Sequence, residues 1–142
     1  VLNFKNDSLI RIDNSFSHRN QYNASTFSHK NHLYYFGGYG LFTQKNVLTR
    51  YDDASREWFK INTYGIRPDP LVGAIPLVLD EMLIVFGGFN EDYPNTNVYE
   101  LDLLTNTWTI LGVLNIKMPT GIRKFFANNK RQYAFYSFNS NF

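Results

Sequence analysis

Four groupings of residues in this sequence have types and spacings that chemistry uses, and each falls short of a complete constellation. His29 and His32 stand three apart, a spacing at which two imidazoles can share a metal, but no third ligand lies near them in sequence and no Cys exists to supply one. Glu91 and Asp92 set two carboxylates side by side, which suits a hard cation, although adjacent acids in a polar loop are ordinarily solvated. Gly37-Gly38-Tyr39-Gly40 shares only its glycine content with a phosphate cradle, because no Lys-Ser/Thr follows and no helix start lends its dipole. Ser, His and Asp are all present without a nucleophile elbow around any Ser. No catalytic residue, metal or cofactor is assigned on these grounds, and binding is a better candidate than bond-making.

Composition narrows the partners. Fourteen Lys and Arg against 12 Asp and Glu leave a net charge of +2 over 142 residues, too balanced for a chain that neutralises a phosphate backbone. The stretches Arg123-Lys124-Phe125-Phe126 and Lys130-Arg131-Gln132-Tyr133 interleave rings with charge in the manner of a single-strand binder, but the repeat described next makes them a strand and its turn. No nucleic-acid partner is expected. No apolar run approaches the roughly 20 residues that span a bilayer, so no membrane insertion is expected either. Absence of Cys excludes disulfides and leaves the compartment open. Hydrophobic residues make up 44% of the chain, with 13 Phe, 10 Tyr and 2 Trp, enough to fill a core.

The elements that must position any site follow from an internal repeat of 50 residues. Phe36-Gly37-Gly38-Tyr39 through Trp58 lies over Phe86-Gly87-Gly88-Phe89 through Trp108 without a gap, with Leu48 on Val98, Tyr51 on Leu101 and Asp52 on Asp102. Each unit reads as four strands. Ser25 to Ser28 and Ile75 to Leu79 come first. Leu33 to Phe36 and Met82 to Phe86, apolar runs stopped by Gly-Gly, come second and suit buried strands. Val47 to Tyr51 and Asn97 to Leu101 are third, and Trp58 to Ile61 and Trp108 to Leu111 alternate as fourth strands. Turns beginning at Asp52 and Asp102 suit a carboxylate that bonds its own backbone. The fold class is all-β, built of four-stranded antiparallel meanders. Carried forward, the register lays Gln132 to Tyr136 over Met82 to Phe86, with Ser137 and Phe138 in place of the glycines. Carried backward with a one-residue slip, it lays Leu2 to Leu9 over Tyr51 to Trp58.

The apolar run ending in Gly37-Gly38, the Tyr51-Asp52 pair and Trp58, repeated as Gly87-Gly88, Leu101-Asp102 and Trp108, resemble kelch repeats, the blades of β-propellers with about four to eight four-stranded sheets. The resemblance implies that Gly37, Gly38, Tyr51, Trp58, Gly87, Gly88 and Trp108 are structural, packing one blade against its neighbour. It implies one propeller domain divided as the tail of a blade and linker (1–21), a first repeat (22–70), a second (71–119) and the start of another (120–142). Just under three units cannot close a ring of four or more. The expectation is an incomplete ring completed by remaining blades of the same parent chain or by partner chains. Leu101 for Tyr, Leu9 for Trp and Ser137-Phe138 for Gly-Gly depart from the pattern.

Binding residues tend to sit on connections carried by a rigid scaffold. The connections from second to third strand (Tyr39 to Asn46, Phe89 to Thr96) and between repeats (Asn62 to Pro70, Gly112 to Gly121) are long, and in a meander they emerge on one face. Tyr39, Tyr64, Arg67, Tyr93 and Lys117 are the candidate binding residues there, with Phe42, Gln44 and Glu91 among their neighbours. Arg67 and Lys117 hold equivalent positions and suit one anionic pocket. The expected function is non-catalytic recognition of a protein or a carbohydrate through this face. Two alternatives stay open. One is a propeller enzyme like the kelch sugar-acid mutarotases and epimerases; the other is an architectural segment of a larger receptor or sensor. The galactose-oxidase-like propellers use copper and a cysteine-linked tyrosine, which a chain without Cys cannot supply alone.

Overall fold

The computed structural model describes residues 13–15, 20–91 and 93–115 in full, and the backbone of residues 2–3, 8–9, 122–127 and 133–137. Every regular element among the described residues is a strand. One sheet joins Ser25–His29, His32–Phe36, Leu48–Asp52 and Glu57–Ile61 in chain order, each neighbouring pair antiparallel. A second joins Ile75–Leu79, Met82–Phe86, Asn97–Asp102 and Thr107–Val113 in the same way. These are the two expected meanders, and we call them the first and second blades. Among the described residues they do not close a ring.

Local chemistry accounts for the turns. Lys30 and Asn31, both at positive φ, join the first two strands through a two-residue turn whose twist matches the sheet. At the third-to-fourth turns the aspartates act as expected. The Asp52 carboxylate accepts from the Ser55 N–H at 2.8 Å and the Asp102 carboxylate from the Leu104 N–H at 2.7 Å. The Ser55 bond holds the Asp52 carboxyl below the ordinary aspartate pKa, and the Thr105 N–H, ahead of the Leu104 N–H, does the same for Asp102.

The larger core cluster lies between the blades, and a smaller one of Ile75, Leu77 and Phe86 belongs to the second blade. The first strands of the two blades pack against each other, and Ser25 Oγ donates to the Ala74 carbonyl at 2.7 Å across the junction. Phe27, Phe36 and Leu48 from the first blade meet Leu83, Val85, Leu101 and Trp108 from the second in one buried cluster. The Trp108 ring tilts against Phe36 with centroids 4.9 Å apart, so this tryptophan does pack one blade on the other. Removing a ring so placed costs about 3–5 kcal/mol. Trp58 is also buried, and among the described residues it packs on rings of its own blade. It stacks on Tyr35 at 4.0 Å and tilts against Tyr51 at 5.3 Å, and the Trp58 backbone N–H donates to Ser15 Oγ. Leu33, expected in a buried strand, is exposed, because among the described residues no sheet packs on its side of the first blade.

The glycine pairs mark where chain crosses chain. Gly38 and Gly88 sit at φ 86° and 76°. A Cβ on Gly38 would stand 2.9 Å from the Tyr22 carbonyl oxygen, and one on Gly88 would stand 2.7 Å from the Ala74 nitrogen. The chain entering each blade therefore fits only against a residue without a side chain. Gly37 and Gly87 are buried beside them.

The connections hold more order than loops. Tyr64–Gly65 runs parallel to Thr107–Trp108 and extends the second blade to five strands, with the Tyr64 N–H donating to the Asn106 carbonyl at 2.9 Å. The first blade repeats this contact 50 residues earlier, where the Asn14 N–H donates to the Arg56 carbonyl at 2.7 Å. At the N-terminal end Leu2 pairs with Leu9 and Asn3 with Ser8, matching Tyr51 with Trp58 and Asp52 with Glu57. Ile122–Ala127 pairs with Tyr133–Ser137 as a further hairpin; Phe138 lies outside the described residues.

Candidate functional site

Both connections from second to third strand fold into small hairpins that the sequence did not announce. Tyr39–Gly40 pairs with Thr43–Gln44, and Phe89–Asn90 with Tyr93–Pro94. Each takes the incoming chain as a third line, through the bridges Tyr22 to Tyr39 and Val72 to Phe89. Hydrogen bonds run both ways in each bridge at 2.8 to 2.9 Å. The hairpins are thus anchored at the glycine corners rather than hanging from them.

One direct bond links the two hairpins. The Glu91 N–H donates to Gln44 Oε1 at 2.8 Å. The tips differ in kind. The first turns through Leu41 and Phe42, both at positive φ, the geometry of a two-residue hairpin turn normally given to Asn or Gly. Large side chains pay a steric penalty there. Phe42 is 94% exposed and Leu41 54%. The second tip carries Glu91 at φ 52°; Asp92 lies outside the described residues. Around these tips stand Tyr93, 75% exposed, and Tyr22, Tyr39 and Phe89, also exposed. Beneath them Lys45 Nζ donates to the Asn20 carbonyl at 2.6 Å, and burial lowers its pKa below the usual lysine value.

The candidate residues do not all meet. Tyr39 and Tyr93 lie on the two bridged hairpins. Tyr64 sits elsewhere, on the outer edge of the second blade beside the turn that ends at Asn106, because its backbone completes that sheet. Arg67 is exposed on the segment between blades, where it helps line a small cavity with Lys60 and Asn46. Lys117 lies outside the described residues, so the pairing of Arg67 with Lys117 does too. Phe89 was overlooked although the 50-residue offset places it on Tyr39. Tyr22 carried no signal, since its role depends on bridging to Tyr39.

On the opposite turns His29 meets not a metal set but a carboxylate from the next blade. Its Nε2 lies 3.0 Å from Glu81 Oε2, and Lys30 Nζ lies 2.8 Å from Glu81 Oε1. The hydrogen bond from Lys30 is the chief cause that holds Glu81 below the usual glutamate pKa. Among the described residues no three His, Cys, Asp or Glu side chains gather as metal ligands would.

Comparison with known proteins agrees with this architecture. The family model described as the KLHDC2/KLHL20/DRC7 Kelch-repeats domain matches residues 3–141. Kelch domain-containing protein 3 of Homo sapiens is 31% identical over 68 residues, covering 46% of this chain and 18% of the human protein. Kelch domain-containing protein 10 of Xenopus tropicalis is 31% identical over 83 residues, covering 56% of this chain and 20% of its own length. The chain therefore spans about a fifth of the length of the curated relatives it matches.

Proposed function

The chain belongs to the kelch-repeat family, and from that premise we propose that it acts as a recognition module that binds a protein partner through the two bridged hairpins. The observation that carries this reading is the Leu41-Phe42 tip. An apolar ring is held almost wholly in solvent by a turn whose backbone disfavours large residues, and strain of that kind collects at functional sites. Phe42 and Leu41 suit an apolar socket on a protein surface better than the hydroxyl-covered face of a sugar. Tyr39 and Tyr93 beside them add broad contact area at small entropic cost, as tyrosines do at protein interfaces. The Gln44 to Glu91 bond and the bridges to the incoming chain hold the surface in shape, so binding needs little rearrangement.

The test uses the intact protein that carries this segment. Affinity capture followed by mass spectrometry compares the wild type with Phe42→Ser/Tyr93→Ser and with Arg56→Ser in a remote turn. The expected result is a set of proteins lost with the hairpin variant and kept with the control, at unchanged melting temperature. Equal recovery by all three would overturn the reading, as would glycan-array binding that depends on Tyr39 and Tyr93.

A further inference from the structure

We propose that the cavity at the outer end of the first blade is an oxyanion site, built to take a phosphate or carboxylate group between Lys60 and Arg67. The cavity has a volume of about 70 Å³, the scale of a small ion, and it opens where the third strand begins and the fourth ends. Its polar lining is Asn46, Lys60, Asn62, Thr63 and Arg67. Lys60 and Arg67 are the charged residues of the lining, both basic, and no acid is among them. Neither Lys60 nor Arg67 forms an ion pair among the described residues. An arginine and a lysine lining one small space, with no acid beside them, suit the recognition of an oxyanion.

The backbone that presents Arg67 is fixed on both sides. Before it, the Tyr64 N–H donates to the Asn106 carbonyl at 2.9 Å and the Ile66 N–H to the Trp108 carbonyl at 3.0 Å, tying the segment to the second blade. After it, Pro68 is fully buried and its carbonyl accepts from Asn46 Nδ2 at 3.3 Å. Arg67 thus projects from a short span pinned to one blade behind and to the other ahead. That pre-organisation reduces the ordering an arginine must undergo on binding an anion. Tyr39, Phe42 and Tyr93 do not line this cavity, so the site stands or falls apart from the hairpin reading.

The site is tested by titrating the isotope-labelled intact protein with inorganic phosphate at constant ionic strength, following the amide signals of Asn62, Thr63 and Arg67. A parallel arm uses acetate, and a third uses chloride. The expected result is saturable shifts at these residues with phosphate or acetate and none with chloride; whichever oxyanion saturates identifies the ligand group. Arg67→Gln and Lys60→Gln should each weaken binding about tenfold, while Arg56→Gln should not. Non-saturating shifts, equal response to chloride, or binding unchanged in both cavity variants would overturn the proposal. Unchanged amide spectra of the variants outside the cavity would confirm that each is folded.

Discussion

Leu33 and Leu83 hold the same place in successive blades, yet Leu33 is 39% exposed and Leu83 is wholly buried. The contrast weakens along the face they share, where Tyr35 and Tyr51 are half-buried and Trp58 is buried. Leu83, Leu101 and Trp108 line up across the second blade with Val85 beside them, and the first blade covers them with Phe36, Phe27 and Leu48. On the first blade the corresponding residues are Leu33, Tyr51, Trp58 and Tyr35, and no sheet lies on them among the described residues. Trp108 takes its ring partner from the neighbouring blade, whereas Trp58 takes Tyr35 from its own, at the position where the second blade has Val85. One repeat pattern therefore yields a wholly buried face or a partly covered one, exposed at Leu33, according to what packs on it.

The polar groups at the glycine corners teach the complementary lesson. In the second blade Asn95 Nδ2 donates to the carbonyls of Gly87 and Asn97 at 3.0 and 2.9 Å. In the first blade the equivalent carbonyls, of Gly37 and Val47, accept from Gln21 Nε2 at 2.8 and 3.1 Å, and Thr49 Oγ1 fixes the other end of that amide at 2.6 Å. The acceptors repeat every 50 residues; the donor does not. Lys45 stands where Asn95 would, and the chain entering the blade supplies the amide instead.

The largest expected effect concerns the faces. Leu83→Ala should lower unfolding free energy by about 2–5 kcal/mol, and Leu33→Ala by about 0.5 kcal/mol or less, both read from denaturant titration of the intact protein. Equal losses would break the comparison by showing that Leu33 is covered in solution. A middle-sized effect comes from the corners, where Gln21→Leu leaves two carbonyls without their amide donor and should cost about 1–3 kcal/mol. Adding Lys45→Asn transplants the second blade's solution into the first and should recover at least half of that loss. Thermal melts showing no recovery would mean that the two corners are not interchangeable.

The smallest effect is a dependence on acid. Asp52, Asp102 and Glu81 all titrate below their ordinary values, the aspartates through bonds from their own turns and Glu81 chiefly through Lys30. A depressed folded pKa adds stability that is fully present above the unfolded value and is lost as pH falls through the folded one. The melting temperature should thus hold steady at neutral pH and decline once pH drops below the ordinary carboxylate range, about 4. Glu81→Gln should flatten part of that decline, since it removes the charge that joins the blades, while Asp102→Asn should affect only one turn. A melting temperature that rises on acidification would contradict all three assignments.

Much of this was legible because repeats betray themselves. The apolar run, the Gly-Gly stop, the turn aspartate and the tryptophan recur at one spacing, and each has a local physical reason to be where it is. The pairing of Leu2 with Leu9 shows how far the register carries, since it held through a slip and a lost tryptophan. The site was less legible. The long connections were visible as lengths, but their hairpins rest on turns through Leu41 and Phe42 that residue preference argues against. Tyr64 was placed with the other loops because nothing in its neighbours reveals that a connection can add a strand to the next blade.

What the sequence determined by itself was the repeating part: four-stranded blades, their strand order, and glycines where chains cross. Those features arise from periodic patterning and backbone sterics, which act over a few residues and so are written locally. What only the tertiary structure decided was everything that depends on a neighbour. It set which face of a blade is buried, which amide serves a corner, that His29 meets Glu81, and that Lys60 and Arg67 share a cavity. Such contacts join residues distant in the chain, and their energies depend on desolvation and geometry that exist only once the blades have packed.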